Sequence, residues 1–265
     1  MKIKEIVSAL ERFAPLPLQD GFDNAGLQIG LTEVEATGAL LCLDVTEAVL
    51  DEAIALGYNL VISHHPLIFK GYKSITGKDY VERCILKAIK NDIVIYSAHT
   101  NLDNAYGGVN YKIAEKIGLK NLQVLEPKEN SLQDDLMQAG AGIVGELDEP
   151  ETELEFLKRI KKTFEVGCVR HNRLTGREIQ KVALCGGAGA FLLPQAIRAG
   201  ADVFITGEIK YHDYFGHEGD ILMAEIGHYE SEQYTKEIFY SIIRDLFPNF
   251  ALQFSKVNTN PIKYL

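Results

Sequence analysis

The stretch ALLCLDVTEAVLDEAIALGYNLVIS (39–63) decides which fold the sequence predicts. Two short apolar runs, at 39–45 and 59–63, have the length and composition of buried strands. The segment between them has the apolar spacing of a helix, with Leu50, Ala53 and Ile54 on its buried face. Thr46 or Asp44 is its expected N-cap. A strand, a helix and a second strand in this order favour parallel pairing through a right-handed crossover. The stretch therefore predicts an α/β sheet.

Strands and helices of similar length alternate through the rest of the chain. The chain starts with an amphipathic helix, and a further helix and strand follow the quoted stretch at 81–91 and 93–98. The second half follows the same plan and ends in a long helix at 229–246, which Pro248 terminates. Leu246 is expected on the apolar face of that helix. The remaining elements of the second half are strands at 181–187, 201–207 and 221–227 and a helix at 191–200.

The two halves of the chain resemble each other in sequence. Residues 41–65 align without a gap with residues 184–208, at a constant offset of 143, and seven of the pairs are identical. Among them are Gly57 and Gly200, each of which is expected to end a helix. Two similar α/β halves explain this match, and independent β-α-β patterning is the alternative.

A polar segment at 121–150, which contains two prolines, separates the halves. We therefore expect an N-terminal α/β lobe at 1–125 and a C-terminal α/β lobe at 126–265, both with mainly parallel sheets. Open parallel sheets bind ligands at the carboxyl ends of their strands. If the two lobes face each other, a site lies in the cleft between them.

The composition limits the classes of function. The 265-residue chain has a formal net charge of -10, which disfavours nucleic-acid binding through Lys and Arg and suits a protein that attracts cations. No apolar run reaches the roughly 18 residues of a membrane span, so no membrane association is expected. Four cysteines without a C-x-x-C pair indicate reduced, buried thiols in a cytoplasmic protein.

The segment ISHHPLIF (62–69) carries the strongest local signal for chemistry. His64 and His65 follow an apolar strand at its carboxyl end, and Pro66 restricts His65 to an extended backbone. Imidazole is the commonest side chain that binds transition metals. A metal site is therefore the favoured interpretation, and a surface turn that contains two histidines is the alternative.

The segment SAHTNLDNAYGGVN (97–110) follows the next apolar strand. His99 and Asp103 stand four residues apart in it, and Asp103 offers a carboxylate oxygen to a metal. The alternative is that Asp103 or Asn104 caps the helix expected at 109–117, and the segment alone favours this alternative. Only its place at the end of a strand connects it to the histidine pair.

The segment GHYESEQ (227–233) repeats this spacing at the start of the long helix. His228 and Glu232 share one helix face because they stand at positions i and i+4, so both side chains can reach one ion. A polar helix start without a metal is the alternative. Glu230 points away from that face and is expected to be exposed to solvent.

The internal repeat combines these signals into one site. After its second strand, each half has a polar pair, which is His64–His65 in the first half and Gly207–Glu208 in the second. After the next strand, each half has a histidine followed four residues later by an acidic side chain. Three histidines and two carboxylates are too many for one closed tetrahedral zinc site, whereas two ions about 3.5–4 Å apart suit them. Such mixed ligands favour zinc, iron or manganese.

Six segments of the chain resemble the GTP cyclohydrolase I type 2 homologue family, also called the NIF-three-like dinuclear metal-centre family. They span both ends and the middle of the chain: FDNAGLQIG (22–30), VISHHPLIF (61–69), SAHTNLDNAYGGVN (97–110), LCGGAGA (184–190), FITGEIKYHD (204–213) and GHYESEQ (227–233). The resemblance implies a two-metal site with five ligands, which are His64, His65, Asp103, His228 and Glu232. It also implies a ring-shaped homo-oligomer, commonly a hexamer, with the metals facing an inner cavity.

Metal-assisted hydrolysis is the reaction class that such a site favours, because divalent ions make hydroxide from water near neutral pH. The family name implies a small-molecule substrate, a purine nucleotide. Glu208, His99 and His212 are candidates for proton transfer, and hydrogen bonding within the site is their alternative role. GGAG (186–189) could cradle a phosphate, with a simple tight turn as the alternative. The competing function is a non-enzymatic metal-binding ring that regulates protein partners.

Overall fold

The described residues form two compact units, each with its own β-sheet. The computed structural model describes residues 1–128, 139–217 and 219–265. Unit 1 combines Met1–Leu102 with Thr235–Pro261, and unit 2 combines Asp103–Tyr234 with Ile262–Leu265. Helices accompany the sheet in both units, which confirms the predicted α/β fold class.

The regular elements alternate along the chain. The strands are β1 (Gly26–Ile29), β2 (Ala39–Cys42), β3 (Leu60–Ser63), β4 (Val94–Ser97), β5 (Lys120–Pro127), β6 (Gly140–Thr152), β7 (Arg170–His171), β8 (Glu178–Cys185), β9 (Val203–Thr206), β10 (Leu222–Glu225) and β11 (Leu252–Phe254). The α-helices are α1 (Ile3–Phe13), α2 (Glu47–Leu56), α3 (Tyr80–Lys90), α4 (Thr100–Asn104), α5 (Val109–Ile117), α6 (Glu153–Thr163), α7 (Leu193–Arg198), α8 (His228–Glu232) and α9 (Thr235–Leu246). Short 3-10 turns lie at Leu16–Leu18, Ala190–Leu192 and Tyr211–Tyr214.

The sheet of unit 1 has the strand order β1-β4-β3-β2-β11. Strands β4, β3, β2 and β11 pair in parallel, and the edge strand β1 runs antiparallel to β4. Every residue of β2, β3 and β4 is buried. This burial explains why the three strands are mainly apolar and show no alternation of apolar and polar residues.

The sheet of unit 2 has the strand order β5-β6-β8-β9-β10-β7. Strands β8, β9 and β10 pair in parallel, whereas β5, β6 and β7 pair antiparallel with their neighbours. Parallel strands therefore carry the crossover connections in both sheets, and antiparallel strands extend the sheets at their edges.

The internal repeat is present in the strand register. In unit 1, Ala39 pairs with Leu60, and in unit 2, Val182 pairs with Val203. Val182 lies 143 positions after Ala39, and Val203 lies 143 positions after Leu60. The same offset aligns the two sequence segments. The two β-α-β segments therefore share one register, which supports two similar halves.

Helix α1 buries the apolar face that its sequence predicts and packs against α9 within unit 1. Ile3 and Ile6 are fully buried, and Val7 and Leu10 are nearly so. Full burial of an aliphatic side chain contributes about 1.5–3 kcal/mol relative to exposure. This packing places α1 and α9, which are far apart in the sequence, in the same unit.

Helix α2 differs from its prediction in two details. Its N-cap is Thr46, whose side chain accepts a hydrogen bond from the amide of Val49, and not Asp44. Ile54, expected on the buried face, is 39% exposed because it lies at the margin of that face. Gly57 ends the helix in the left-handed conformation, with φ of 69°, as predicted.

The long helix predicted at 229–246 is two helices, α8 and α9. The break falls at Gln233 and Tyr234, whose side chains donate hydrogen bonds to the carbonyl oxygens of Phe164 and Thr163. The helical hydrogen-bond ladder is interrupted where these two side chains anchor the chain to unit 2. Leu246 also differs from the prediction, because it is 53% exposed at the end of α9.

The division into units differs from the lobes predicted at 1–125 and 126–265. Strand β5 (Lys120–Pro127) runs through residue 125 without interruption, because its partner in the sheet is β6. Strand β11 pairs with β2, so 235–261 belongs to unit 1. Part of the polar segment on which that boundary rests, 129–138, lies outside the described residues.

The cysteines are free, and Cys42, Cys84 and Cys185 are buried as expected. Cys168 is exposed, contrary to the expectation of buried thiols, because it lies in the short connection between α6 and β7. Among residues 1–128, 139–217 and 219–265, no helix has both the length and the apolar character needed to cross a bilayer.

Candidate metal centre

Two neighbouring strands of unit 1 deliver three histidines to the same edge of its sheet. His64 and His65 directly follow β3, and His99 follows the adjacent parallel strand β4. The amides of His64 and His65 both donate to the carbonyl oxygen of Leu43, and the Ser63 hydroxyl donates to the carbonyl oxygen of His65 at 2.9 Å. These backbone contacts hold the histidine pair in a fixed turn.

His64 is fully buried and has a defined tautomer. Its Nδ1 lies 2.9 Å from the carbonyl oxygen of Ala98. A carbonyl oxygen only accepts hydrogen bonds, so Nδ1 carries the proton and Nε2 of the neutral ring carries the lone pair. A neutral imidazole in this tautomer is a metal ligand through Nε2.

In His65 and His99, as in His64, Nδ1 faces a hydrogen-bond acceptor, which here is a carboxylate. Nδ1 of His65 lies 2.7 Å from Oδ1 of Asp44, and Nδ1 of His99 lies 2.7 Å from Oδ1 of Asp23. A carboxylate that accepts from one ring nitrogen fixes the ring and directs the other nitrogen to a metal. The three rings, His64, His65 and His99, form what we call the histidine cluster, with ring centroids 4.9–5.5 Å apart. Each offers one ring nitrogen within 4.8 Å of the other two.

Hydrogen bonding keeps both carboxylates ionised. Burial alone would raise the pKa of Asp23, but hydrogen bonds from His99 and Thr100 outweigh it and lower that pKa to about 2. Burial opposes the same effect at Asp44, where hydrogen bonds from His65 and Thr259 lower the pKa below its usual value. Both groups are therefore negative at neutral pH and favour a cation in the histidine cluster.

A second group of ligand atoms lies in unit 2, at the start of α8. Nε2 of His228 is 3.1 Å from Oε2 of Glu232, and its Nδ1 is 2.9 Å from Oε1 of Glu208. Glu232 is 3% exposed, and Asp103 presents a carboxylate oxygen within 4.8 Å of it. We call Asp103, His228 and Glu232 the carboxylate cluster. Asp103 and His228 therefore each place a ligand atom close to Glu232, and carboxylates and imidazoles are side chains that can bind a divalent cation.

Asp103 does not cap the helix that follows it, which was its alternative role. It lies in the separate short helix α4, and α5 begins after Gly108 without a side-chain cap. The carbonyl oxygen of Asp103 accepts a hydrogen bond from Nδ2 of Asn110. A carboxylate oxygen of Asp103 lies within 4.8 Å of one of Glu232.

Glycines make room for the side chains of α8. A Cβ atom on Gly187, where φ is +59°, would lie 2.3 Å from Oε1 of Glu232. A Cβ atom on Gly207 would lie 2.9 Å from the Cα atom of His228. Gly187 in the LCGGAGA segment and Gly207 after β9 therefore allow the close approach of helix α8.

The GGAG turn uses its amides for contacts within unit 2. The amides of Gly186, Gly187 and Gly189 donate to the side-chain oxygens of Asn110, Ser231 and Thr206. These hydrogen bonds occupy the donors that a phosphate would need, so the tight-turn alternative describes this segment. The turn positions α8 and does not cradle an anion.

The remaining predicted residues take different positions. Glu208, 57% exposed, contacts His228, as an outer partner of a metal ligand would. His212 lies in an exposed 3-10 turn with its ring against Tyr211, and within the described part of the chain it joins neither cluster. Glu230 is buried, contrary to expectation, because its side chain turns back over Gly227.

Asp23 and Asp44 are the site residues that the sequence interpretation missed. Asp23 stands in FDNAGLQIG, a segment that already carried the family resemblance, and Asp44 follows strand β2 at the same sheet edge as the histidines. An acidic residue at the carboxyl end of a strand beside a histidine pair is the signal that could have identified Asp44. The donor set as a whole, imidazole rings and carboxylates, fits zinc, iron or manganese.

Comparison with known proteins gives one consistent result along the full chain. The Duf34/NIF3 family model (NGG1p interacting factor 3) matches residues 1–261. A Clostridium perfringens protein named GTP cyclohydrolase 1 type 2 homolog is 38% identical over 235 residues, which cover 88% of this chain and 87% of that protein. A Lactococcus lactis protein of the same name is 34% identical over 271 residues and 98% of both chains.

Solved structures show the same similarity. A crystal structure of a Staphylococcus aureus hypothetical protein superposes with a TM-score of 0.90 and 32% identity, over 100% of this chain and 99% of that chain. A Bacillus cereus protein related to NIF3 superposes with a TM-score of 0.89 and 27% identity, over 100% and 99% of the two chains. The similarity therefore extends over both units.

Proposed function

Because this chain belongs to the Duf34/NIF3 family, we propose that it is a metal-binding protein with two divalent ions per subunit, zinc, iron or manganese. The proposed ligands come from both clusters and are His64, His65, Asp103, His228 and Glu232. The observation that carries the proposal is the histidine cluster. Its three Nδ1 atoms face acceptors, which leaves Nε2 of each ring to bind a metal.

We propose metal-dependent hydrolysis as the activity, with a nucleotide or a related small molecule as the substrate. The relatives named GTP cyclohydrolase 1 type 2 homolog support this substrate class. Divalent ions bound by these ligands would lower the pKa of a water molecule and polarise the bond that is attacked. The free cysteines agree with a cytoplasmic location, which we include in the proposal.

The protein's own side chains supply proton transfer in this proposal. Glu208 combines an exposed carboxylate with a contact to Nδ1 of His228, so its Oε1 can accept a proton and exchange it with solvent. His99 is held by Asp23 and can act as a further ligand or carry a proton at Nε2. His212 is exposed and needs a separate test of its role.

A non-enzymatic role through protein partners is the second candidate, and the description of the family as an interacting factor favours it. The variant Glu208→Gln distinguishes the two functions, because it keeps every proposed metal ligand. With metal supplied at saturating concentration, so that the metal content stays unchanged, an enzyme loses turnover in this variant. A scaffold retains its function in the same variant.

We also propose a homo-oligomer, specifically a hexameric ring, for the working protein. Light scattering coupled to size exclusion tests this directly, because a hexamer has six times the 29.5 kDa mass of the chain. A monomer or a dimer at micromolar concentration contradicts the ring.

Elemental analysis of the purified full-length chain tests the metal proposal. We expect a metal-to-chain ratio of about two, as a two-metal site requires. His64→Ala should lower the ratio, whereas His217→Ala, a histidine outside both clusters, should leave it unchanged. A ratio near zero in protein prepared with each metal present contradicts the proposal.

A hydrolase screen on nucleotides and phosphoesters, with each metal restored, then tests the activity.

A further inference from the structure

Unit 2 contains an open cavity of about 550 Å³ that the proposed metal site does not use. This volume lies in the range of small-molecule sites in proteins. One wall is cationic and the other is aromatic. The residues that define these walls are Arg170, His171, Arg173, Tyr211, Tyr214 and Phe215.

The cationic wall has two arginines. Arg170 forms an ion pair with a glutamate, and Arg173 is exposed to solvent. Nη1 of Arg170 lies 2.7 Å from Oε1 of Glu225, and its guanidinium lies 5.8 Å from the ring centre of Tyr214. Tyr214 donates its hydroxyl hydrogen to Oε2 of the same Glu225. Arg173 is exposed, and within residues 1–128, 139–217 and 219–265 no carboxylate lies at ion-pairing distance from it. The wall thus holds a positive charge in a chain of net charge -10.

The aromatic wall keeps apolar rings in contact with solvent. Tyr211 is 68% exposed and Phe215 is 56% exposed, and their ring centroids are 5.3 Å apart. The ring of His212 contacts both. Exposed aromatic rings forgo the stabilisation that burial would give, so a cluster of such rings on a concave surface indicates a binding function.

We propose that this cavity binds a planar aromatic ring that carries an anionic group, as a nucleotide does. The guanidinium of Arg173 receives the anion, because its planar donors match a carboxylate or phosphate. Tyr211 and Phe215 contact the faces or edges of the ring. Arg170 holds the wall in place through its ion pair with Glu225.

The cavity is linked to the carboxylate cluster within unit 2. Oε2 of Glu225 also accepts a hydrogen bond from the amide of Ile209, at 3.2 Å. Ile209 directly follows Glu208, which contacts His228. One short segment, 208–215, therefore carries both the partner of a proposed metal ligand and the aromatic wall. Binding in the cavity needs neither metal nor turnover and stands apart from the proposed function.

Direct binding to the metal-free and the metal-loaded chain tests the proposal. The probe is adenosine 5′-monophosphate, compared by calorimetry with adenosine, ribose 5-phosphate and inorganic phosphate. We expect the monophosphate to bind at least about tenfold more tightly than any fragment, because only it engages both walls.

Arg173→Ala should weaken binding of the monophosphate about tenfold or more, and Arg173→Lys should weaken it less than that. Tyr211→Ala should weaken it about fivefold or more, and Tyr211→Phe should retain it.

The matched control is Arg198→Ala, an exposed arginine on α7 outside the cavity, which should bind the monophosphate as the unmodified chain does. Arg173→Ala should keep its metal content. Loss of monophosphate binding and loss of metal can then be observed separately. Equal binding of ribose 5-phosphate and the monophosphate would overturn the proposal in favour of a simple anion site. A change in oligomer size in the Tyr211→Ala variant, without any binding of the monophosphate, would overturn it in favour of a contact between copies.

Discussion

Asp23 holds His99 through a 2.7 Å contact between Oδ1 and Nδ1, and its Oδ2 accepts hydrogen bonds from the amide and hydroxyl of Thr100. The carboxylate is fully buried in unit 1. His65 has an equivalent partner in Asp44, at the same distance. The orientation of the histidine cluster thus depends on carboxylates that are not themselves proposed ligands.

Replacing Asp23 by asparagine should weaken metal binding. The Asp23→Asn variant retains the shape of the side chain but loses the negative charge that fixes the tautomer of His99. We expect a loss in metal affinity of roughly 10–100-fold, the usual effect of removing an outer hydrogen-bond partner. Competition with a chromogenic chelator measures the affinity.

Asp51→Asn provides the control, because the Asp51 carboxylate is exposed and pairs with Lys87 on the surface of unit 1. If Asp23→Asn does not fold, Asp44→Asn tests the same idea at His65. Affinities that match the unmodified chain in both Asp23→Asn and Asp44→Asn would show that the carboxylates do not orient the cluster.

Adding one methyl group at Gly187 should disturb Glu232. The new Cβ would lie 2.3 Å from Oε1 and 3.2 Å from Cδ of Glu232, and φ at this position is +59°. Gly187→Ala should therefore displace the carboxylate and lower the metal content of the chain. Elemental analysis and thermal unfolding measure the two effects.

Gly200→Ala is the control that distinguishes backbone strain at a positive φ from displacement of the Glu232 carboxylate. Gly200 has φ of +69°, but a Cβ there would meet nothing within 4 Å. It should therefore cost only the backbone strain, about 1 kcal/mol, and leave the metal content unchanged. The same metal content in both variants would exclude a role for the Gly187 contact.

Cys168 should be the one thiol that reacts in the folded chain. It is exposed, whereas Cys42, Cys84 and Cys185 are buried. Burial raises the pKa of Cys84 to about 11 and that of Cys42 further, so neither forms a thiolate at neutral pH. Maleimide labelling followed by mass measurement should show one label per folded chain and none in Cys168→Ser. Rapid labelling of Cys168→Ser would mean that the core opens readily.

The proposed ligands could be predicted because their signals are local. His64 and His65 adjoin an apolar strand, and His228 and Glu232 stand one helical turn apart, so short segments contain the relevant pattern. The pairing of His99 with Asp23 joins residues 76 positions apart, and periodicity carries no information about such a contact. The same limit explains why Asp23 was missed.

The unit boundary could not be predicted because it depends on long-range pairing. Strand β11 joins β2 across more than 200 residues of sequence, which brings the segment 235–261 into unit 1. The break between α8 and α9 has a similar cause. It depends on hydrogen bonds from Gln233 and Tyr234 to a helix end about 70 positions earlier, whereas the apolar stripe of the sequence continues through this point.

Glu82 should make the stability of unit 1 depend on acid pH. Its buried carboxylate accepts hydrogen bonds from the amides of Thr76, Gly77 and Lys78 through Oε2. The hydrogen bond from the Thr76 amide is the largest cause that lowers the pKa of Glu82, from 4.5 to about 2. The folded pKa is below the unfolded value, so the stabilisation is complete above pH 4.5 and is lost as the pH falls towards 2.

Glu82→Gln should therefore unfold at a lower temperature than the unmodified chain at pH 7, and the gap should narrow as the pH is lowered from 5 towards 2. The neutral amide cannot gain or lose the proton that produces the effect. Thermal unfolding at several pH values measures the gap, and Glu149→Gln, at an exposed position, is the control. A gap of constant size over this range would mean that Glu82 stabilises the turn through its shape and not through its charge.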